Sequence, residues 1–158
     1  MDIQQRSAPT KDRPPKSAPA GAIRPAPVAD EDSRPYWTAL RDHHILLQTC
    51  TRCGEVRCPP LPACPNCGGI GLTNSCATGA GTLYSWIEAH RAVGTLRPDE
   101  VPCTIATVEL AEGPRLIGRL RQSRPAIGRA VTATFVDHDG WTEISFVPAD
   151  ELTDEGGT

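Results

Sequence analysis

Four of the seven cysteines stand in two C-x-x-C pairs, Cys50-Thr51-Arg52-Cys53 and Cys64-Pro65-Asn66-Cys67. Ten residues separate the pairs, and a glycine (Gly54, Gly68) follows each second cysteine. A C-x-x-C turn aims two thiolates at one point, and the glycine lets the backbone fold back beneath them. Two such turns supply the four sulfurs of a tetrahedral Zn²⁺ site with Zn–S near ~2.3 Å. Four protein ligands leave no position for water or substrate, so the chemistry expected of Cys50, Cys53, Cys64 and Cys67 is structural: one zinc ion that holds a fold. The same four sulfurs also suit a rubredoxin-like iron. A redox C-x-x-C needs only one pair, and an odd cysteine total fits complete disulfide pairing poorly.

The remaining reactive side chains are dispersed. Cys58 falls outside the C-x-x-C register, and Cys76 and Cys103 are isolated. Each reads as a packing or surface thiol, because a catalytic thiol needs a nearby base. His43 and His44 are superfluous as ligands beside four cysteines. Glu88 and His90, two apart on an expected strand, share a face and are the one candidate acid–base pair. No nucleophile motif, phosphate loop or open metal site accompanies them, so no catalytic residue is assigned. Arg115, Arg119 and Arg121 also share a strand face, with Arg124 just beyond, and such a row either contacts phosphate or discourages edge pairing.

These residues must be positioned by a chain of 158 residues, enough for one modest domain or two small ones. No apolar run is long enough to span a bilayer, and the start, Met1-Asp2-Ile3-Gln4-Gln5, lacks an apolar signal core. The expectation is a reducing cytoplasm, where bound metal explains the cysteines better than disulfides. Net charge is uneven: +1 over 1–35, +1 over 36–77 and −5 over 78–158. A nucleic-acid-tracking domain carries the opposite sign.

Residues 1–32 are punctuated by Pro9, Pro14, Pro15, Pro19, Pro25 and Pro27 without apolar periodicity, which predicts a disordered tail. Ser33 is positioned to cap a short helix with Pro35 in its first turn. Tyr36, Trp37 and Leu40 then form an aromatic-apolar helix face, which either packs on the chain's own fold or docks on a partner. Ile45–Gln48 reads as a strand entering the first knuckle, and Val56–Pro62 as a proline-stiffened crossing; the helix and ribbon together occupy 33–77. From 78 to 149 the pattern turns to strands: Thr82–His90, Cys103–Leu110, Arg115–Arg121, Ala130–Val136 and Trp141–Val147. Five strands with glycine turns predict a small antiparallel OB-like barrel, with an SH3-like barrel as the other option. Residues 150–158 form an acidic tail. The fold class is therefore mainly β: a short helix, a zinc ribbon and a five-stranded barrel.

In the order Tyr36-Trp37, Leu47-Gln48-Thr49-Cys50-Thr51-Arg52-Cys53-Gly54, Pro59-Pro60, Cys64-Pro65-Asn66-Cys67-Gly68, Gly79-Ala80-Gly81-Thr82-Leu83-Tyr84-Ser85, Val108–Leu116 and Ile127–Val131, the chain resembles a known family. Its members are acyl-CoA-associated proteins with an N-terminal rubredoxin-like zinc ribbon and a C-terminal OB-fold, and the likeness runs from Tyr36 to Pro148. The resemblance implies a non-catalytic accessory subunit that binds a thiolase-fold enzyme (a thiolase, acyltransferase or aldolase) and helps form or shield its acyl-CoA site. The long proline-rich N-terminus departs from the compact family pattern. In this reading Tyr36, Trp37 and Leu40 dock the partner, and Arg115, Arg119 and Arg121 meet CoA phosphates. The alternative is an OB-fold and ribbon protein that binds single-stranded nucleic acid on Tyr84, Trp86, Phe135, Trp141 or Phe146. Aromatics at strand positions more often fill a small barrel, and the acidic balance opposes that alternative.

Overall fold

The computed structural model describes residues 26–92, 96–121 and 125–151. Most of the two expected tails, and Arg124, lie outside these residues. One helix, α1 (Arg34–Arg41), precedes eight strands: β1 (Leu46–Cys50), β2 (Val56–Arg57), β3 (Leu72–Cys76), β4 (Ala80–Ala89), β5 (Cys103–Leu110), β6 (Arg115–Leu120), β7 (Ala130–His138) and β8 (Trp141–Pro148). The first three form a sheet in the order β2-β1-β3, and the other five close a barrel in the order β4-β5-β6-β8-β7. All pairs are antiparallel except β6 with β8. That Greek-key order, with the third and fifth strands parallel, is the OB arrangement.

Strict alternation builds the barrel interior. On β5, Ala106, Val108 and Leu110 point inward, with Leu83, Leu116, Leu120, Val131 and Phe146 facing them. Strand β8 instead reads almost wholly buried, Trp141 to Pro148, because α1 lies across its outer face. The same cluster continues without a break into Tyr36, Leu40, Ile45, Leu47 and Cys58. Helix, ribbon and barrel therefore share one core.

The helix entry differs from the expected cap. Ser33 makes no side-chain cap bond; instead the Ser33 N–H donates to Asp30 Oδ1 at 2.7 Å, and the Asp30 N–H donates to Ser33 Oγ at 3.1 Å. This reciprocal pair is a capping box begun one turn earlier, and the hydrogen bonds from Ser33 hold the Asp30 carboxyl below its ordinary value. The helix leaves through a Schellman motif, in which the N–H groups of His43 and His44 donate to the carbonyls of Leu40 and Ala39. Its left-handed position, φ 59°, is occupied by His43, where glycine is usual.

His43 has a second task that explains the departure. Its ring stacks on Phe135, with centroids 5.0 Å apart and planes 6° apart, and its Nε2 lies 3.0 Å and 3.1 Å from the two oxygens of Asp137. Thr142 Oγ1 donates to the same carboxylate at 2.8 Å. These bonds, His43 first, hold Asp137 below the ordinary carboxylate value of 3.8. A depressed carboxyl adds stability above its unfolded value and loses it as pH falls through the lower folded one. Wild type should therefore melt above Asp137→Asn at about pH 7, and the gap should narrow at about pH 3, below the carboxyl's ordinary value. Equal separation of the two melting temperatures at both pH values would contradict a clamp between helix exit and barrel.

Candidate functional site

The two knuckles are built by one repeated set of bonds. Cys50 and Cys64 each accept from the glycine four residues on, Gly54 N–H at 2.9 Å and Gly68 N–H at 2.8 Å. Each also donates its own N–H to the carbonyl of the next residue, Glu55 at 2.9 Å and Gly69 at 2.8 Å. Closing this loop needs a left-handed residue, and Gly54 (φ 76°) and Gly68 (φ 71°) provide it without a Cβ clash. Strand β1 delivers Cys50 at its last residue, so the metal end of the ribbon is a continuation of the sheet.

The four sulfurs lie within 4.8 Å of one another, with Cys50–Cys67 and Cys53–Cys64 separations of 3.6 Å. A tetrahedron with ~2.3 Å Zn–S bonds has edges of ~3.8 Å, so the donor set fits one zinc ion. The local field suits thiolates. The N–H groups of Arg52 and then Cys53 aim at Cys50 and hold its thiol down to about 6. At Cys64 desolvation works upward, but the N–H groups of Cys67 and Asn66 outweigh it and the thiol sits below its ordinary value. Asn66 Nδ2 lies 3.8 Å from Cys53 Sγ. At Cys67 the Gly69 N–H pulls downward, yet the crowd of sulfurs, Cys53 foremost, pushes it up to about 12.

The ribbon beside the metal is braced by two residues that sequence reasoning passed over. Gln48 and Arg57 are buried. Arg57 Nε donates to Gln48 Oε1 at 3.0 Å, and the same oxygen accepts from the Leu61 N–H at 3.1 Å, while Arg57 Nη2 donates to the Leu61 carbonyl. Two polar side chains thus hold the crossing between knuckles. Cys58 packs under Tyr36, and burial pushes its thiol up to about 11, an unreactive value. Cys76 is exposed and Cys103 half-buried.

The other singled-out residues separate. Tyr36 and Leu40 are 5% and 1% exposed and belong to the shared core. Trp37 is only partly covered, its ring set edge-on to Tyr36 at 5.2 Å. It lines a groove of about 240 Å³ with Leu96, Ile105, Ile117 and Trp141, and Ile117 is 69% exposed. Arg115 pairs with Glu109 at 3.0 Å and lies 3.5 Å over the Tyr84 ring. Arg119 bridges Glu100 at 3.0 Å and Glu143 at 3.9 Å. Arg121 has no ion-pair partner among the described residues; it lines an open cleft of about 620 Å³ at the barrel mouth with Trp86, Glu88 and Cys103. Glu88 and His90 meet at 3.6 Å on the surface. Of the barrel aromatics Phe146 fills the interior, whereas a register shift between Leu83 and Ser85 leaves Tyr84 outside and Trp86 sits 39% exposed at the mouth. Among the described residues no helix is long and apolar enough to cross a membrane.

Comparison with known proteins places both halves together. Residues 37–72 match the family described as ChsH2, rubredoxin-like zinc ribbon domain, and residues 76–136 that described as ChsH2, C-terminal OB-fold domain. A probable enoyl-CoA hydratase alpha subunit of Thermomonospora curvata is 34% identical over 75% of this chain and 37% of its own length. The 3-oxo-4,17-pregnadiene-20-carboxyl-CoA hydratase alpha subunit of Mycobacterium tuberculosis is 32% identical over 77% and 39%. This chain thus spans less than two fifths of either relative. A DUF35 domain-containing scaffold protein of Methanocaldococcus jannaschii is 29% identical over 66% of this chain and 78% of its own. Among solved structures, a chain of the Ltp2-ChsH2(DUF35) aldolase superposes with a TM-score of 0.69 at 33% identity, covering 78% of this chain and 99% of that one.

The metal centre generates a direct test. Cys67→Ser removes one of four ligands, and metal analysis of the purified variant should show zinc lost together with the ordered ribbon signal. Full zinc occupancy with an unchanged spectrum would contradict four-cysteine ligation.

Proposed function

The chain belongs to the ChsH2 family of rubredoxin-like zinc ribbons joined to OB-folds, and from that premise we propose that it is a non-catalytic accessory subunit. Its partner is a thiolase-fold enzyme acting on CoA thioesters, whose acyl-CoA site it helps to form or shield. The observation that carries this reading is the superposition on nearly the whole of one chain from an assembly described as an aldolase. The relatives' names point the same way: two are subunits of CoA-thioester hydratases and one is a scaffold. Hydratase activity is not carried over, because those proteins extend far beyond the aligned region.

The chemistry of the chain agrees with this role. Its metal has four protein ligands and no open position, so it offers no Lewis acid to a substrate. Glu88 and His90 form an exposed pair on the barrel surface. What the structure does offer is a rigid surface: a metal-pinned ribbon and a barrel on one core, with half-buried Trp37 and exposed Ile117 lining a groove. Aromatic anchors in such grooves carry a large share of interface energy. Arg121 is the arginine of the three free to meet a CoA phosphate, since Arg115 and Arg119 already face carboxylates.

Co-purification from the source cytoplasm should recover a thiolase-fold enzyme in fixed ratio with this chain. Trp37→Ala and Ile117→Asp should each weaken that association by about 1–3 kcal/mol, or roughly 5- to 150-fold in affinity, with zinc content and circular dichroism unchanged. Undiminished recovery of the enzyme by both folded variants would remove the docking groove. Recovery of single-stranded nucleic acid in place of an acyl-CoA enzyme would overturn the reading itself.

A further inference from the structure

Strand β3 is an edge that the sequence leaves undefended. Among the described residues it pairs only with β1 in the order β2-β1-β3, and all five of its residues, Leu72-Thr73-Asn74-Ser75-Cys76, are exposed. Natural edge strands are blunted by charge, proline, a bulge or extreme shortness. The opposite edge, β2, is two residues long. Strand β3 has none of these protections: its pairing with β1 is unbroken from Leu72 to Cys76, and no Asp, Glu, Lys or Arg stands between Arg57 and Glu88. Ile70, 79% exposed, and Leu72, 37% exposed, add apolar surface at its start.

The order of residues along that edge selects its occupant. An antiparallel pairing about a twofold axis at Asn74 sets Leu72 opposite the second copy's Cys76, Thr73 opposite its Ser75, and Asn74 opposite Asn74. Each position meets its own kind: apolar with thiol, hydroxyl with hydroxyl, amide with amide. Thr–Ser hydroxyl pairs are favourable across strands, and β3 itself carries no charged side chain to set against its copy. We propose that β3 is a twofold interface on which two copies of this chain join their ribbons into one six-stranded antiparallel sheet. A twofold contact of this kind is closed, as an isologous interface must be. The inference does not depend on which enzyme the chain binds.

Sedimentation of the purified full chain under reducing conditions tests it. Wild type should pass from monomer to dimer with concentration, and Asn74→Lys, which places two like charges directly opposite each other on the axis, should raise the dimer dissociation constant about tenfold or more at unchanged zinc content. A second variant does not depend on that substitution folding well. Asn74→Cys in a Cys76→Ser background places two thiols directly opposite, with Cα atoms ~4.5–5.5 Å apart, inside disulfide reach. Mild oxidation should then give a 74–74 cross-link, whereas two native Cys76 residues, ~13 Å apart in this register, should give none. A wild-type monomer at every concentration up to about 100 μM would overturn the proposal, as would a Cys76–Cys76 link or an Asn74→Cys variant that stays uncrosslinked. Amide exchange that shows β3 protected equally at all concentrations would also overturn it, because the cover would then be the chain's own remainder.

Discussion

Four thiolates on one metal substitute for a core that the ribbon is too small to build. Between Cys50 and Cys76 only Cys50, Cys58, Cys64 and Arg57 are buried, far too little apolar area to order that many residues against chain entropy. Binding energy concentrated at a single point does so instead. Because β1 ends in Cys50 and begins beside Ile45 and Leu47, the same strand belongs to the metal site at one end and to the barrel's core at the other. Fixing the metal fixes β1, and β1 fixes the platform against which α1 and β8 pack.

The second consequence is directional. Helix α1 covers the outer face of β8, which a free barrel would expose, and the His43–Asp137 clasp and the His43–Phe135 stack lock the helix exit to β7. A ribbon attached by a linker alone would sample many orientations. Here the metal knuckles, the Trp37 groove and the barrel mouth hold constant positions relative to one another. The accessory role proposed above depends on that constancy, since docking a preordered surface avoids the entropy of ordering it on contact.

Much of this was legible in the residues and some was not, for physical reasons that differ by element. The barrel strands announce themselves through period-two alternation and glycine turns, and their observed limits lie within two residues of those expected. The metal site is legible because ligand spacing alone dictates it. Strand β3 escaped, since five exposed residues of mixed character show no alternation at all. Gln48 and Arg57 escaped too: polar side chains on a strand read as solvated, and only the fold reveals that they bond each other and Leu61 in the interior. Strand parity put Arg115 and Arg119 on one face correctly, but parity cannot see Glu109, Glu100 and Glu143 arriving from other segments to neutralise them. The helix cap moved because Asp30 and Ser33 satisfy each other reciprocally, a stronger arrangement than Ser33 acting alone.

The central claim is that metal, ribbon and barrel form one mechanical unit through β1. Amide hydrogen exchange on the full chain, with zinc bound and after its removal by chelation, tests it most directly. The account predicts that protection collapses through β1 and the knuckles and falls measurably in α1 and β8, while β4 and β5 on the far side of the barrel keep theirs. Unchanged protection of β1, α1 and β8 after complete loss of zinc would show that the barrel holds the helix and ribbon unaided, and would contradict it.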